Sequence, residues 1–314
     1  MKNGICRAIA LGCLTAALLA PALAAQEVAD DTLYIWKKSL VWDLTATQTS
    51  YNDAWVGGEV GSFSWQTNLN GSAQRQFSPS FNFKSTLRSS FGMTSTQDEE
   101  SGDWSKPKKS TDLIDWENVG SFTLNGLVDP YVAFRLESQF YDGRYNNRLF
   151  GTTYSTKKLW FSPLKLTESA GGTRKFYEKD NDVIASRLGV AFRQIMQSYI
   201  DTTDTALPQV DSTFTDGGIE SVTDAMLTLS DKLVYVGKLS LYKAFFFSES
   251  DKVKGTEVED YWKAVDVNFE NLFVAKVSKI VAVSFYTQLL YDKQVEKKGR
   301  LKQTLALGIT YSLL

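Results

Sequence analysis

Residues 303–314 read QTLALGITYSLL. Leu305, Leu307, Ile309, Tyr311 and Leu313 alternate with Ala306, Gly308, Thr310 and Ser312. Successive side chains on an extended backbone point to opposite faces, so the stretch predicts a strand with one apolar and one small polar face. Two destinations are open to the apolar face. It packs into the core of a soluble protein, or it meets lipid on the outside of a membrane barrel.

The same alternation recurs along the chain. SLVWDLTATQ (39–48) sets Leu40, Trp42 and Leu44 against Asp43, Thr45 and Thr47. SFNFKSTLRSSFGM (80–93) sets Phe81, Phe83, Leu87 and Phe91 against Asn82, Lys84, Thr86 and Arg88. YVAFRLESQFY (131–141) sets Val132, Phe134, Leu136 and Phe140 against Arg135, Glu137 and Gln139. Comparable segments fall at 61–71, 112–124, 157–167, 184–198, 218–229, 233–248, 258–271, 279–291 and 300–313. The total is about twelve strands, within a range of roughly ten to fourteen, because each barrel strand carries a weak signal.

The gaps between them are uneven. Those at 50–58, 94–111, 142–156, 199–217, 249–257 and 292–299 are mostly long and polar. Those at 72–79, 125–130, 230–232 and 272–278 are tighter and carry turn residues such as Pro79, Gly126 and Pro130. The gap at 168–183 departs from this, being as long as an outer loop. Short turns on one side and long loops on the other characterise transmembrane barrels. Many segments reach ten residues, the span of a tilted membrane strand, where ordinary strands average about five or six. Aromatics crowd the segment ends, as at membrane–water interfaces: Trp42, Phe81, Phe122, Tyr131 and Tyr311 toward the turns, Phe91, Trp116, Phe140, Tyr199, Phe247, Trp262 and Tyr291 toward the loops.

The expected fold is therefore all-β, a transmembrane antiparallel barrel over residues 39–314 with short periplasmic turns and longer extracellular loops. Its polar face would line the lumen with both signs of charge: Asp43, Asp115, Glu117, Glu137, Asp266 and Glu270 against Lys84, Arg88, Arg135, Arg187, Arg193 and Lys302. Such residues either pair into a stiffening network or tune a narrow polar passage.

Residues 1–24 have the anatomy of an export signal. Lys2 and Arg7 are basic, an apolar stretch of alanines and leucines follows, and Ala22-Leu23-Ala24 forms an A-x-A cleavage site. A periplasmic segment at 25–38 would precede the barrel. Both cysteines, Cys6 and Cys13, lie in the signal, so the mature chain has neither disulfides nor thiolate ligands. Without Lys2 and Arg7 the charge balance is about −4, which argues against a nucleic-acid partner.

Histidine is absent. That excludes a Ser-His-Asp arrangement and the usual general base near neutral pH. The glycines at 57, 58 and 61 match no dinucleotide fingerprint, and there is no Walker A motif. No metal site or cofactor is expected. Carboxylate pairs such as Asp266 and Glu270 on one strand face have the chemistry for glycoside hydrolysis, though salt-paired lumen residues explain them more simply.

Three stretches resemble the domain of unknown function 3078 family, an uncharacterised Gram-negative group. They are TQTSYNDAWVGGEVGSFSW with Gln48, Trp55, Gly57 and Gly58, KSTDLIDW with Asp112, and the C-terminal run DYWKAVDVNFENLFVAKVSKIVAVSFYTQLLYD with LKQTLALGITYSLL. The chain departs from the pattern in reading Asn-Asp-Ala-Trp where the family reads Asn-Trp. The resemblance implies an outer-membrane barrel and transfers no catalytic residue. Trp55, Gly57 and Gly58 read physically as a rim loop, two glycines permitting a tight reversal beside an interface anchor.

The functional expectation is a non-enzymatic, porin-like outer-membrane barrel, either a narrow polar channel for small solutes or a structural component. The alternatives are a soluble secreted β-sheet binding module and a histidine-free barrel hydrolase. Expected partners are outer-membrane lipid and lipopolysaccharide, with periplasmic chaperones and the barrel-assembly machinery during biogenesis. Gly308, Tyr311 and Leu313 resemble the C-terminal assembly signal, although a terminal aromatic residue is missing.

Overall fold

The computed structural model describes residues 34–51, 60–124, 126–140, 144–146, 153–155, 161–180, 182–200, 209–278 and 280–313. The expected signal and the rim loop of Trp55, Gly57 and Gly58 lie outside the described residues.

Twelve strands close into a barrel. They are β1 (Lys37–Thr49), β2 (Ser62–Ser78), β3 (Phe81–Thr96), β4 (Lys108–Phe122), β5 (Asp129–Ser138), β8 (Leu164–Lys179), β9 (Asp182–Ile200), β10 (Gln209–Ser230), β11 (Leu233–Phe247), β12 (Val265–Lys276), β13 (Val281–Tyr291) and β14 (Arg300–Ser312). Each pairs antiparallel with its predecessor and successor, and β14 closes the ring on β1 through Val41↔Ser312 to Thr45↔Gly308. Two further strands, β6 (Arg144–Asn146) and β7 (Thr153–Ser155), form a hairpin in the β5–β8 connection.

Among the described residues the loop asymmetry is plain. Two-residue turns at 79–80 and 231–232 join strands on one side, whereas the connections at 97–107 and 248–264 lie on the other. The exceptional gap at 168–183 does not exist. That stretch is most of β8, and the strand expected at 157–167 begins only at Leu164. The outward positions of β8 include Ala170 and Gly172 beside Glu168 and Arg174, and the register shifts between Lys175 and Tyr177. The chain stays extended through its backbone pairing to β5 and β9, but the apolar alternation that would announce a strand is missing. The glycines have their own reason. A Cβ on Gly171 would lie 2.2 Å from the Leu188 carbonyl oxygen, and one on Gly189 would lie 2.7 Å from the Tyr131 hydroxyl. Likewise β12 starts at Val265, not 258. The residues before it form a short helix, α1 (Ser250–Val253), and a 3-10 turn (Tyr261–Lys263).

The terminal stripe faces outward. Leu305, Leu307, Ile309 and Tyr311 are 51–70 % exposed, although they sit within a paired strand. Leu188, Val190, Phe192 and Phe285 are also exposed on the outer face. A soluble protein would not leave so large an apolar belt uncovered; a lipid-facing band explains it. Three aromatics expected in the interfacial girdles are interior instead. Tyr131 is buried in the lumen because it shares the face of Arg135 and Glu137, two and three pleats along. Phe247 is buried after a register shift at Gly217/Gly218, and Trp262 packs against it. Around the turn side, Trp36, Phe77, Phe81 and Phe122 form a run of ring contacts.

Candidate functional site

Charges spaced two apart on a strand share a face, so Asp115 and Glu117 of β4, and Arg135 and Glu137 of β5, all project inward. There they meet cations and anions from distant strands in three clusters.

The first cluster centres on Asp115, whose side chain is 2 % exposed. Arg88 Nε of β3 donates to its Oδ2 at 2.9 Å and Arg135 Nε to its Oδ1 at 2.8 Å. Arg88 also reaches across the lumen, its Nη1 donating to Glu270 Oε2 of β12 at 2.9 Å. Glu270 accepts further bonds from the Tyr286 hydroxyl at 3.1 Å and the Asn268 amide at 3.0 Å. Glu137 is bound by Arg135 at 3.1 Å and by Lys165 at 2.9 Å.

The second cluster centres on Glu117, which is bridged by Arg187 of β9 and by Lys238 of β11, the latter at 2.9 Å. Glu220 lies 3.9 Å from Arg187. The third is the most deeply buried. Arg193 of β9 donates from Nε and Nη2 to Asp216 at 2.6 and 3.0 Å, and from Nη1 to Asp266 at 2.8 Å. The Arg193 guanidinium carbon stands 3.4 Å from the Tyr242 ring centre, and the Tyr242 hydroxyl donates to Asp216 at 2.8 Å.

Above the third cluster, the β11–β12 connection folds in against the inner face of β9, β10 and β11. Val253 joins Ile195, Phe214 and Phe247 in a buried apolar cluster, with Val258 and Trp262 packed against it. Trp262 also packs on the cluster of Ala191, Tyr242 and Ala244. This cap shields the Arg193 cluster from water and so strengthens its electrostatics.

Nine of the twelve charged residues read from the sequence therefore meet in these clusters: Asp115, Glu117, Glu137, Asp266, Glu270, Arg88, Arg135, Arg187 and Arg193. Asp43, Lys84 and Lys302 do not join them. Asp43 accepts from the Asn68 amide at 2.5 Å, and Lys84 is exposed at the turn end of β3. Lys302 donates across the lumen to the Thr111 hydroxyl at 3.0 Å.

Sequence reasoning missed Lys165, Asp216, Glu220, Lys238, Tyr242 and Tyr286. Asp216 fell within a presumed loop. Lys238 and Tyr242 lay in a recognised strand, and their i, i+4 spacing on one face was the available signal.

The lumen is unevenly filled. On β9 and β10 the inward Arg187, Ala191, Arg193, Ile195, Phe214, Asp216 and Val222 are buried. On the opposite wall, Thr304, Ala306, Gly308 and Thr310 of β14, Thr45 of β1 and Asn68 of β2 remain partly exposed to water. Among the described residues no group of carboxylates is arranged to hold a metal ion.

A closed ring with polar side chains inside and an apolar belt outside defines a membrane-spanning β-barrel. Residues 46–144 match the family described as protein of unknown function (DUF3078). This span contains the Trp-Val-Gly-Gly and KSTDLIDW stretches that carried the resemblance, while the C-terminal run lies beyond it. No curated protein matches the chain. Among solved structures, an outer membrane channel from Pseudomonas putida F1 is 12 % identical over 91 % of this chain and 99 % of that one, with a TM-score of 0.41. The translocator domain of autotransporter NalP from Neisseria meningitidis is 10 % identical over 87 % of this chain and 86 % of that one, with a TM-score of 0.37.

Proposed function

We propose that the protein is a non-enzymatic barrel of the Gram-negative outer membrane that offers small polar solutes a narrow passage along one side of its lumen. The observation that carries this reading is the division of the interior. One half is packed by paired charges that brace the wall, and the other is lined by water-accessible hydroxyl, amide and methyl groups on β14, β1 and β2. Struts such as Arg88 to Glu270 restrict the bore without crossing that second half. The two carboxylates weighed for hydrolysis, Asp266 and Glu270, each face a guanidinium from another strand, which supports a bracing role over a catalytic one.

In this reading residues 1–24 direct export and are removed, and Gly308, Tyr311 and Leu313 engage the barrel-assembly machinery, with chaperones holding the chain in the periplasm. The exposed belt contacts membrane lipid and the lipopolysaccharide leaflet. Outer-membrane fractionation with heat-modifiable gel mobility tests the location, and intact-mass analysis tests the mature terminus at Ala25. Planar-bilayer recording of the folded protein tests the passage. Discrete conductance steps are expected, and a folded barrel that carries no current would leave only the structural role.

A further inference from the structure

We propose that the passage selects small anions, with Lys302 as the residue that sets the preference. This rests on the passage reading above. It follows from which charges on the water-accessible wall lack an opposite partner.

Lys302 is the central observation. Its ammonium projects from β14 into the lumen and is held 3.0 Å from the hydroxyl of Thr111, a neutral group. Thr111 in turn donates to the Gln66 side-chain oxygen of β2 at 3.1 Å. The three residues form a polar chain from β14 to β4 to β2 that positions one uncompensated cation over the passage. No carboxylate among the described residues pairs with it. Arg300, two positions earlier on the same face, stands exposed nearer the loops, and Lys108 of β4 is exposed and pairs in register with the inward Thr94. Neither has an ion-pair partner among the described residues. Lys84 and Lys37 occupy exposed inward positions at the turn end of β3 and β1.

Against these cations the inward positions of β13, β14, β1, β2 and β3 carry a single acid, Asp43, whose carboxylate is covered by the Asn68 amide. The remaining cation on that wall, Arg88, is committed to Asp115 and Glu270. Among the described residues the inward acids of the opposite wall have a cation within 4 Å, including the half-exposed Asp224, 3.9 Å from Lys238, apart from Asp129 at the turn end of β5, which accepts from the Leu124 backbone N–H. Past the exposed acids Asp98, Glu99, Glu100 and Asp103 of the 97–107 connection, an anion entering from the loop side meets Lys108 and Arg300, then Lys302, then hydroxyls and amides, then Lys84. A narrow pore with low-dielectric walls focuses the field of such unpaired charges, so the sign of the residue at the constriction governs which ions enter.

The test is the zero-current potential of the folded full-length mature protein in a planar bilayer under a potassium chloride gradient. The expected result is chloride passing several-fold more readily than potassium, with the preference lost or reversed in Lys302→Glu. Lys302→Gln, which keeps a donor for Thr111, should fold as the wild type and lose part of the preference. It serves as the readout should the charge reversal prevent assembly. Open channels that favour potassium in the wild type, or a preference unchanged in both variants, would overturn the anion assignment while leaving the passage standing. A folded, silent barrel would overturn the passage and the assignment with it.

Discussion

Replacing Arg193 with Met puts the bracing role of the charge clusters under direct strain. The Arg193 side chain is 6 % exposed and that of its partner Asp216 is 2 % exposed. Five guanidinium N–H donors are available, and three of them are used on Asp216 and Asp266 at 2.6 to 3.0 Å. The substitution leaves two carboxylates close together beneath the cap and removes the cation stacked 3.4 Å from the Tyr242 ring. Removing one partner of a buried pair costs about 3–5 kcal/mol, because the charge left behind is neither solvated nor neutralised. The triple variant Arg193→Met, Asp216→Asn, Asp266→Asn removes that stranded charge and should recover most of the loss. Lys175→Ala is the control. Its pair with Glu178 is about 60 % exposed on both sides, so an effect of at most about 0.5 kcal/mol is expected. Urea unfolding of the refolded barrel, followed by tryptophan fluorescence and by heat-modifiable mobility, gives the three values. An Arg193→Met barrel within about 1 kcal/mol of the wild type, or a triple variant as unstable as the single one, would refute the argument.

Leu305→Arg places a charge on the outward face of β14 and should cost about 2–4 kcal/mol, whereas Thr304→Arg, one pleat away and facing the lumen, should cost much less. Equal losses in urea titrations would mean that both faces meet the same medium. Tyr311→Asp combined with Leu313→Asp should block assembly, read as loss of the heat-modifiable form from outer-membrane fractions; normal amounts of folded protein would return the stripe to a soluble core. In the loops, Lys297 hydrogen-bonds to Glu257 and holds its carboxyl below the ordinary carboxylate range. This tether between the 248–264 and 292–299 connections is therefore intact at neutral pH and weakens as pH falls through the lowered Glu257 value. Proteolysis of the 248–264 connection should rise only at acid pH, the rise should vanish in Glu257→Gln, and because both side chains are largely solvent-exposed, salt should mask the difference.

Most strands were legible because large apolar side chains recur on their outer faces, as Leu305, Leu307, Ile309 and Tyr311 do on β14. β8 was not, since Ala170 and Gly172 occupy its outer face and backbone pairing alone keeps it extended. Tyr131 shows a subtler failure. Its parity already assigned it to the face of Arg135 and Glu137, but a tyrosine near a strand end suggested an interface anchor instead. Phe247 had no such signal, because a register shift across the β10–β11 pair changes which face follows it. The inward charges could be read residue by residue from the pleat, while their partners could not.

By itself the amino-acid sequence determined the class of the protein, the facing of QTLALGITYSLL and the polar character of the lumen. The pleat of a strand is a local property, set by backbone stereochemistry within a few residues. Only the tertiary structure decided that Arg88 meets Glu270, that Glu117 holds both Arg187 and Lys238, and that Lys302 meets Thr111 with no acid among the described residues beside it. Those encounters depend on ring closure, which brings strands far apart in sequence to opposite walls of one lumen, and on how far each side chain reaches across it.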